Sequence, residues 1–317
     1  MFRWSIGKIA YLSATIGMRI GCLAVRICPR LVLFSADRLA ELGYRCFHVF
    51  RRRSVENLRL ALGDRLDETA ITATAKQTLR NFFRSCVEAA AAVTSSDEQL
   101  RGRIAIVGRE HLETALAKGN GVLLLSAHLG NFFLLGCRLT IESYPTSVLI
   151  NQPRDGRFAE LMDAYRLQAR QHTIHARPRR EALRELSAGL RQNRIVVVLA
   201  DEFRRTNVGV EVPFFGRAVI SRRGPVTLAM RTGAAIVPAY MVRQADDSLK
   251  MIIEPELELE RSESNLQAIR ENTTRMTEWL ERTIRRYPEQ WNWMNIRWWV
   301  ETSDHRSGSE QGLRRAV

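Results

Sequence analysis

The chain has 317 residues, a 45% hydrophobic share that supports a substantial core, and a formal net charge of +14, mostly from arginine. The length fits one large α/β domain or two smaller ones, and the charge favours polyanionic partners: nucleic acid, an anionic membrane or an acidic carrier protein. No zinc-finger spacing, RNA-recognition signature or coiled-coil basic region is present, and Cys22, Cys28, Cys46, Cys86 and Cys137 form no C-x-x-C pair, so nucleic acid has only charge in its favour and neither a disulfide framework nor a zinc site is read.

Residues 4–34 are apolar but interrupted by Lys8, Arg19, Arg26 and Arg30, and the longest uncharged stretch, Ile9 to Met18, is too short to span a bilayer. Three readings stand: an amphipathic helix lying in the membrane interface, a tilted spanning helix that tolerates Arg19, or a helix packed on the protein's own core. We favour the interfacial one. Residues 36–93 repeat apolar positions at three and four and predict helices. Asp97 and Glu98 are expected in a connecting turn, Ile104–Val107 in a strand, and Glu110–Lys118 in a helix stopped by Gly119-Asn120. Strands follow at Gly121–Ala127 and Pro145–Ile150, with a helix at Leu134–Ile141 between them. Helices are expected at Arg157–Arg170 and Arg180–Gln192. The β-branched run Ile195–Ala200 fits a strand buried on both faces. Further on come a helix at Arg222–Thr232, strands at Ala235–Arg243 and Leu249–Leu259, a long helix at Asn265–Tyr287, and a polar tail expected to be disordered. Alternating strands and helices predict an α/β fold: a mostly parallel sheet with helices on both faces, preceded by a helical N-terminal appendage. The expected division is residues 1–93 for the membrane-associating helical region, 94–301 for the α/β domain and 302–317 for the tail.

The run Leu123-Leu124-Leu125-Ser126-Ala127 delivers His128 into a Gly130-Asn131 turn ahead of an apolar helix. A histidine at a strand-to-helix junction sits on the edge where α/β folds build sites, and it takes a proton near neutral pH. A buried histidine satisfied by backbone is the alternative. Asp201 and Glu202 also follow a buried strand and are expected at the same edge; for Asp201 a loop or capping role is the alternative. Gly130 and Asn131 either bring backbone amides to a developing oxyanion or simply turn the chain. Arg154, Arg157, Arg166 and Arg170 lie on or near one predicted helix, and Arg166 and Arg170 share a face by their spacing; a solvated basic face is the alternative. Trp291, Trp293, Trp298 and Trp299 alternate with polar or basic residues, as in an interfacial aromatic belt or a strand burying alternate rings.

The His128-Leu129-Gly130-Asn131 window resembles the active-site motif of the lipid A biosynthesis (lauroyl/myristoyl) acyltransferase family, which is related to phosphatidylinositol-mannoside acyltransferases. The family pattern is a histidine, four residues, then Asp or Glu; here Phe133 holds the acidic position. The resemblance extends over roughly residues 45–300. Arg52-Arg53-Ser54-Val55-Glu56-Asn57-Leu58 looks like its entry segment, and Val107-Gly108-Arg109-Glu110-His111-Leu112 like its lead-in. Val212-Pro213-Phe214-Phe215-Gly216, Gly224-Pro225 and Pro288-Glu289-Gln290-Trp291-Asn292-Trp293 follow in the family's order, with Asn295 where a histidine is usual.

The resemblance implies a glycerolipid-acyltransferase-like fold at the cytoplasmic face of a bacterial inner membrane. It implies transfer of a fatty acyl chain from acyl carrier protein or acyl-CoA to a hydroxyl of a lipid or glycolipid, a lipid A precursor among the candidates, with no metal or bound cofactor. His128 is then the general base. Because Phe133 cannot orient it, Asp201 is the expected substitute carboxylate. The resemblance also implies that Gly130 and Asn131 border the thioester, that Arg166 and Arg170 face a phosphate-bearing substrate, and that Arg222 and Arg223, flanking an arginine-rich loop after Phe214-Phe215-Gly216-Arg217, meet donor or acceptor phosphate. The rivals are a catalytically inactive relative that binds lipid or carrier protein, and a basic nucleic-acid-binding protein without sequence preference.

Overall fold

The computed structural model of the chain describes residue 16 and residues 19–152, 156–203, 209–260 and 265–294. The start of the N-terminal segment, Arg154, Asn295, Trp298, Trp299 and the tail lie outside the described residues. The helices are α1 (residues 19–27), α2 (Pro29–Cys46), α3 (His48–Leu62), α4 (Glu68–Thr94), α5 (Asp97–Arg103), α6 (Arg109–Leu116), α7 (Leu135–Ile141), α8 (Gly156–Gln168), α9 (Arg179–Arg191), α10 (Gly224–Thr232) and α11 (Asn265–Arg286). The strands are β1 (Ile104–Val107), β2 (Val122–Ser126), β3 (Thr146–Ile150), β4 (His172–His175), β5 (Ile195–Leu199), β6 (Val210–Phe214), β7 (Arg217–Ser221), β8 (Ala235–Arg243) and β9 (Leu249–Ile253).

Seven strands form one sheet in the order β1-β9-β8-β2-β5-β3-β4. Every pairing is parallel except β8 with β9, so the expected mostly parallel sheet is present. β2 and β5 lie in its middle and are buried on both faces, which is why they read as unbroken apolar runs. Their side chains alternate between two cores. Leu123, Leu125, Val196 and Val198 face one core, with Leu186 of α9, Ala229 of α10 and Leu280 of α11. Val122, Leu124, Ile195 and Val197 face the other, with Leu100 of α5, Leu112 of α6 and Leu135 of α7. Each such leucine or valine contributes about 1.5–3 kcal/mol by leaving water, so a one-residue slip of either strand would exchange its faces between two differently shaped cores.

Several expectations are corrected. Asp97 and Glu98 open α5 rather than lying in a turn: Ser96 accepts from the Gln99 amide while the Gln99 side chain accepts from the Ser96 amide, a complete capping box. The helix expected through Arg170 ends at Gln168, and Arg170 is left-handed at φ +62°, so it shares no helical face with Arg166. β4 was not anticipated. The stretch read as an arginine-rich loop is β7, the second strand of a separate β6–β7 hairpin, whose Phe215-Gly216 turn has φ +48° and +70°. The strand expected through Leu259 ends at Ile253, and the helix expected from Arg222 starts at Gly224.

At the N-terminal end α2 and α3 pack on α4, and α3 and α4 touch the segment after α11, where Asn81 of α4 donates to the Glu289 carbonyl and Asn57 of α3 to that of Trp293. Along α1 and α2, Ile20, Leu23, Ile27, Leu31 and Phe34 recur at three and four and are all exposed. Among the described residues no helix is long and apolar enough to cross a membrane.

Candidate active site

Parallel pairing of β2 with β5 sets Ser126 opposite Leu199, and the Ala200 amide donates to the Ser126 carbonyl. His128 and Asp201 each stand two residues beyond those strand ends, so they leave the sheet side by side. Asp201 Oδ1 lies 2.8 Å from His128 Nδ1. Asp201 Oδ2 accepts from the His128 backbone amide at 2.8 Å and from Trp291 Nε1 at 2.8 Å. All three donors converge on a carboxylate with no exposed surface, while the His128 side chain keeps 24% of its own. Because Asp201 Oδ2 is filled by two N–H groups, Oδ1 is the acceptor for an Nδ1 proton. That assigns the proton of neutral His128 to Nδ1 and leaves Nε2 with a free lone pair.

The electrostatics agree. Burial resists charge on His128, but the Asp201 carboxylate, its hydrogen bond and nearby Glu202 outweigh it and raise the imidazole pKa. Burial likewise works against the Asp201 anion, yet His128 and the Trp291 N–H hold its pKa below the usual carboxylate range. The Phe132 ring meets the imidazole edge-on at 4.9 Å, and Trp291 continues through Phe214 to Phe203 as an aromatic wall. Such a wall lowers the local dielectric and strengthens the pair.

The turn after His128 is held on every side. Gly130 is left-handed at φ +57°, and a Cβ there would stand 1.8 Å from the Met241 carbonyl oxygen. Its amide donates to the Gln290 carbonyl, and the Asn131 amide to that of Met241. Asn131 Nδ2 donates to Glu88 at 2.7 Å, and Glu88 takes two hydrogen bonds from Arg243, at 2.6 and 2.9 Å. The Gln290 side chain brackets the Arg243 backbone, and the Asn292 amide donates to the His128 carbonyl. Neither the Gly130 nor the Asn131 amide is therefore open to an oxyanion; both are committed to the turn.

The arginines separate into two groups. Arg222 pairs with Glu202, next to Asp201, which brings it to the same sheet edge, and exposed Arg223 stands beside it just before α10. Arg166 instead pairs with Asp163 on its own helix at 3.0 Å. Arg170 spends all three guanidinium nitrogens on Asp97 and the Ala92 and Ser95 carbonyls, clamping α4 to α5, so it is not free for a substrate phosphate. Phe133 stacks on Phe132, and its carbonyl accepts from Gln171. Trp291 and Trp293 are buried in the segment after α11, neither in a membrane belt nor on a regular strand. The sequence reading missed the parts played by Trp291, Glu88, Arg243 and Gln290. Glu88 did leave a trace, as the lone acid in an alanine-rich helical run.

A family model described as bacterial lipid A biosynthesis acyltransferase matches residues 1–299. A phosphatidylinositol mannoside acyltransferase of Mycolicibacterium smegmatis is 28% identical over 73% of this chain and 74% of its own length. One from Mycobacterium tuberculosis is 34% identical over 43% of each chain. A lipid A biosynthesis palmitoleoyltransferase of Escherichia coli is 25% identical over 70% of each.

Proposed function

Since the chain belongs to the bacterial lipid A biosynthesis acyltransferase family and is an acyltransferase, we propose that it moves a fatty acyl chain from an acyl thioester to a hydroxyl of a lipid or glycolipid, with His128 as general base and Asp201 as the carboxylate that positions it. The donor is acyl carrier protein or acyl-CoA. The acceptor belongs to the class the relatives' names indicate, mannosylated phosphatidylinositol or a lipid A precursor. The observation that carries this reading is the buried Asp201 carboxylate on His128 Nδ1, locked by two further N–H groups.

The acceptor hydroxyl gives its proton to His128 Nε2 as its oxygen attacks the thioester carbonyl. The C–O bond forms, the C–S bond breaks, and the imidazolium returns the proton to the departing thiolate. Asp201 stabilises the imidazolium between those steps and stays ionised throughout. Arg222 and Arg223, one residue apart at the same edge, suit a phosphate on donor or acceptor.

An inactive relative that binds lipid or carrier protein is the rival suggested by Phe133 and Asn295. Against it stands the cost of burying a carboxylate, which folding recovers only through the three donors that here all serve to orient His128. We assign the protein to the cytoplasmic face of a bacterial inner membrane by family resemblance; the exposed apolar stripe of α1 and α2 supports the membrane contact alone. The test is acyl transfer from labelled acyl carrier protein and labelled acyl-CoA into a glycolipid extract. His128→Ala is expected to lower turnover by at least about 100-fold. An unchanged rate in that variant would remove His128 from the reaction.

A further inference from the structure

We infer that α2, α3 and α4 form a binding site for one anionic phospholipid, separate from the His128 centre, with an acyl chain in an apolar cavity and the phosphate on Arg51 and Arg52. The cavity measures about 230 Å³ and is walled by Gly43, Phe47, Phe50, Leu79, Phe82 and Met294. Through Tyr44 and Arg51 it adjoins a wider polar opening of about 560 Å³, which Arg52, His48 and Arg59 also line. It shares no residue with the His128–Asp201 site. A largely apolar recess of this kind takes apolar guests, and this one is smaller than the ~300 Å³ at which drug-sized pockets begin, which suits a single chain.

Three observations select the occupant. The Ser54 hydroxyl is buried in the cavity wall and has no hydrogen-bond partner among the described residues, so an ester carbonyl at the head of the chain would satisfy it. The mouth is positive. Among the described residues Arg52 is exposed and has no acidic partner, Arg51 has no carboxylate partner and lies 3.2 Å from His48 Nδ1, and Arg51 and Lys76 both lie within 6 Å of the Tyr44 ring. Glu68, which lines the opening, is spent on Arg59 through two bonds of 2.7 Å, and Glu56 also acts on Arg59. Finally, Phe47, Val49 and Phe50 at the rim are 52%, 58% and 42% exposed, an apolar lip across which a bilayer lipid can slide and a free phosphate gains nothing.

The experiment titrates the full chain with dioctanoyl phosphatidylglycerol, dioctanoyl phosphatidylcholine and inorganic phosphate in a calorimeter. Phosphatidylglycerol should saturate one site, phosphatidylcholine should bind at least about tenfold more weakly, and phosphate should not bind measurably. Combined Arg51→Gln and Arg52→Gln should erase that tenfold preference, while His128→Ala binds like the parent whatever becomes of acyl transfer. A phosphatidylglycerol with a diazirine in its acyl chain should label residues 43–54, 75–83 or Met294. Equal affinity for the two lipids, an unaltered preference in the glutamine variant, or label found only elsewhere would each overturn the assignment.

Discussion

Asp201→Asn isolates the orienting role from the fold, because the two side chains have nearly the same shape. In the parent, Oδ2 accepts from both the His128 amide and Trp291 Nε1. An asparagine must turn its carbonyl oxygen toward those two donors, since an NH₂ group there would face two N–H groups with nothing to accept. Its NH₂ then occupies the Oδ1 position, 2.8 Å from His128 Nδ1. Nδ1 must now accept, so the imidazole proton moves to Nε2 and the lone pair that takes the substrate proton is gone. A wrong-tautomer substitution of this kind in a serine protease triad costs about 10⁴ in rate, so a fall of about 10³–10⁴, or roughly 4–5.5 kcal/mol of barrier, is expected here. The pH profile adds a second readout. Asp201 raises the His128 pKa, and general-base catalysis needs the neutral ring, so the acid limb of kcat/KM in the parent should lie above the usual histidine value of about 6.5. With the charge removed, burial prevails and the limb should move down. The assay is thioester-dependent acyl transfer at several pH values, with circular dichroism as the folding control. A folded variant with parental rate and an unshifted limb would refute the reasoning.

Trp291→Phe removes one donor from Asp201 and should cost about 1–3 kcal/mol in a denaturant titration, with a smaller rate loss than Asp201→Asn. Gly130→Ala asks for a Cβ 1.8 Å from a carbonyl oxygen at φ +57°, so at least about 2 kcal/mol should be lost by the same measurement; a parental midpoint would mean that the His128 turn is not fixed as described. The His128–Asp201 pair also predicts how stability follows pH. The lowered Asp201 pKa contributes stability above about pH 4 that is lost as pH falls through its folded value, and the raised His128 pKa contributes stability below about 6.5 that is lost as pH rises through its folded value. The parent should therefore exceed Asp201→Asn most between those limits, and a constant difference across pH 3–9 would count against the pair. Leu31→Asp with Phe34→Asp should weaken sedimentation with anionic vesicles, and added salt should weaken it further; undiminished binding would sink the interfacial reading of the N-terminal helices.

Much of the sheet could be read in advance, because central parallel strands leave a plain signal. Val122–Ser126 and Ile195–Leu199 are unbroken apolar runs, and parallel pairing alone brings the residues that follow them to one edge. The proximity of His128 and Asp201 is thus a consequence of topology that needs no motif. What escaped were elements without local periodicity of their own. β4 is His-Thr-Ile-His, four residues at the sheet edge, three of them polar, with a strand neighbour on one side only. β6 and β7 gain their strand character from a hairpin turn and from α11, to which the Phe215 amide is tied through Glu281.

The arginines show the same limit from the opposite side. Spacing put Arg166 and Arg170 on one face, but a left-handed residue two positions past the helix sends Arg170 to the carbonyls that end α4. Charge pattern registers that a cation is present and says nothing of which carbonyls or carboxylates lie within its reach. Trp291 and Glu88 carry the point into the site itself. Each is joined to the His128 loop across more than 40 residues of chain, by one N–H on Asp201 and one carboxylate on Asn131. The motif around His128 locates the proposed base. Its tautomer and the rigidity of its turn are set by those distant residues, so substitutions at positions 88, 243, 290 and 291 should alter the reaction without touching either reactant.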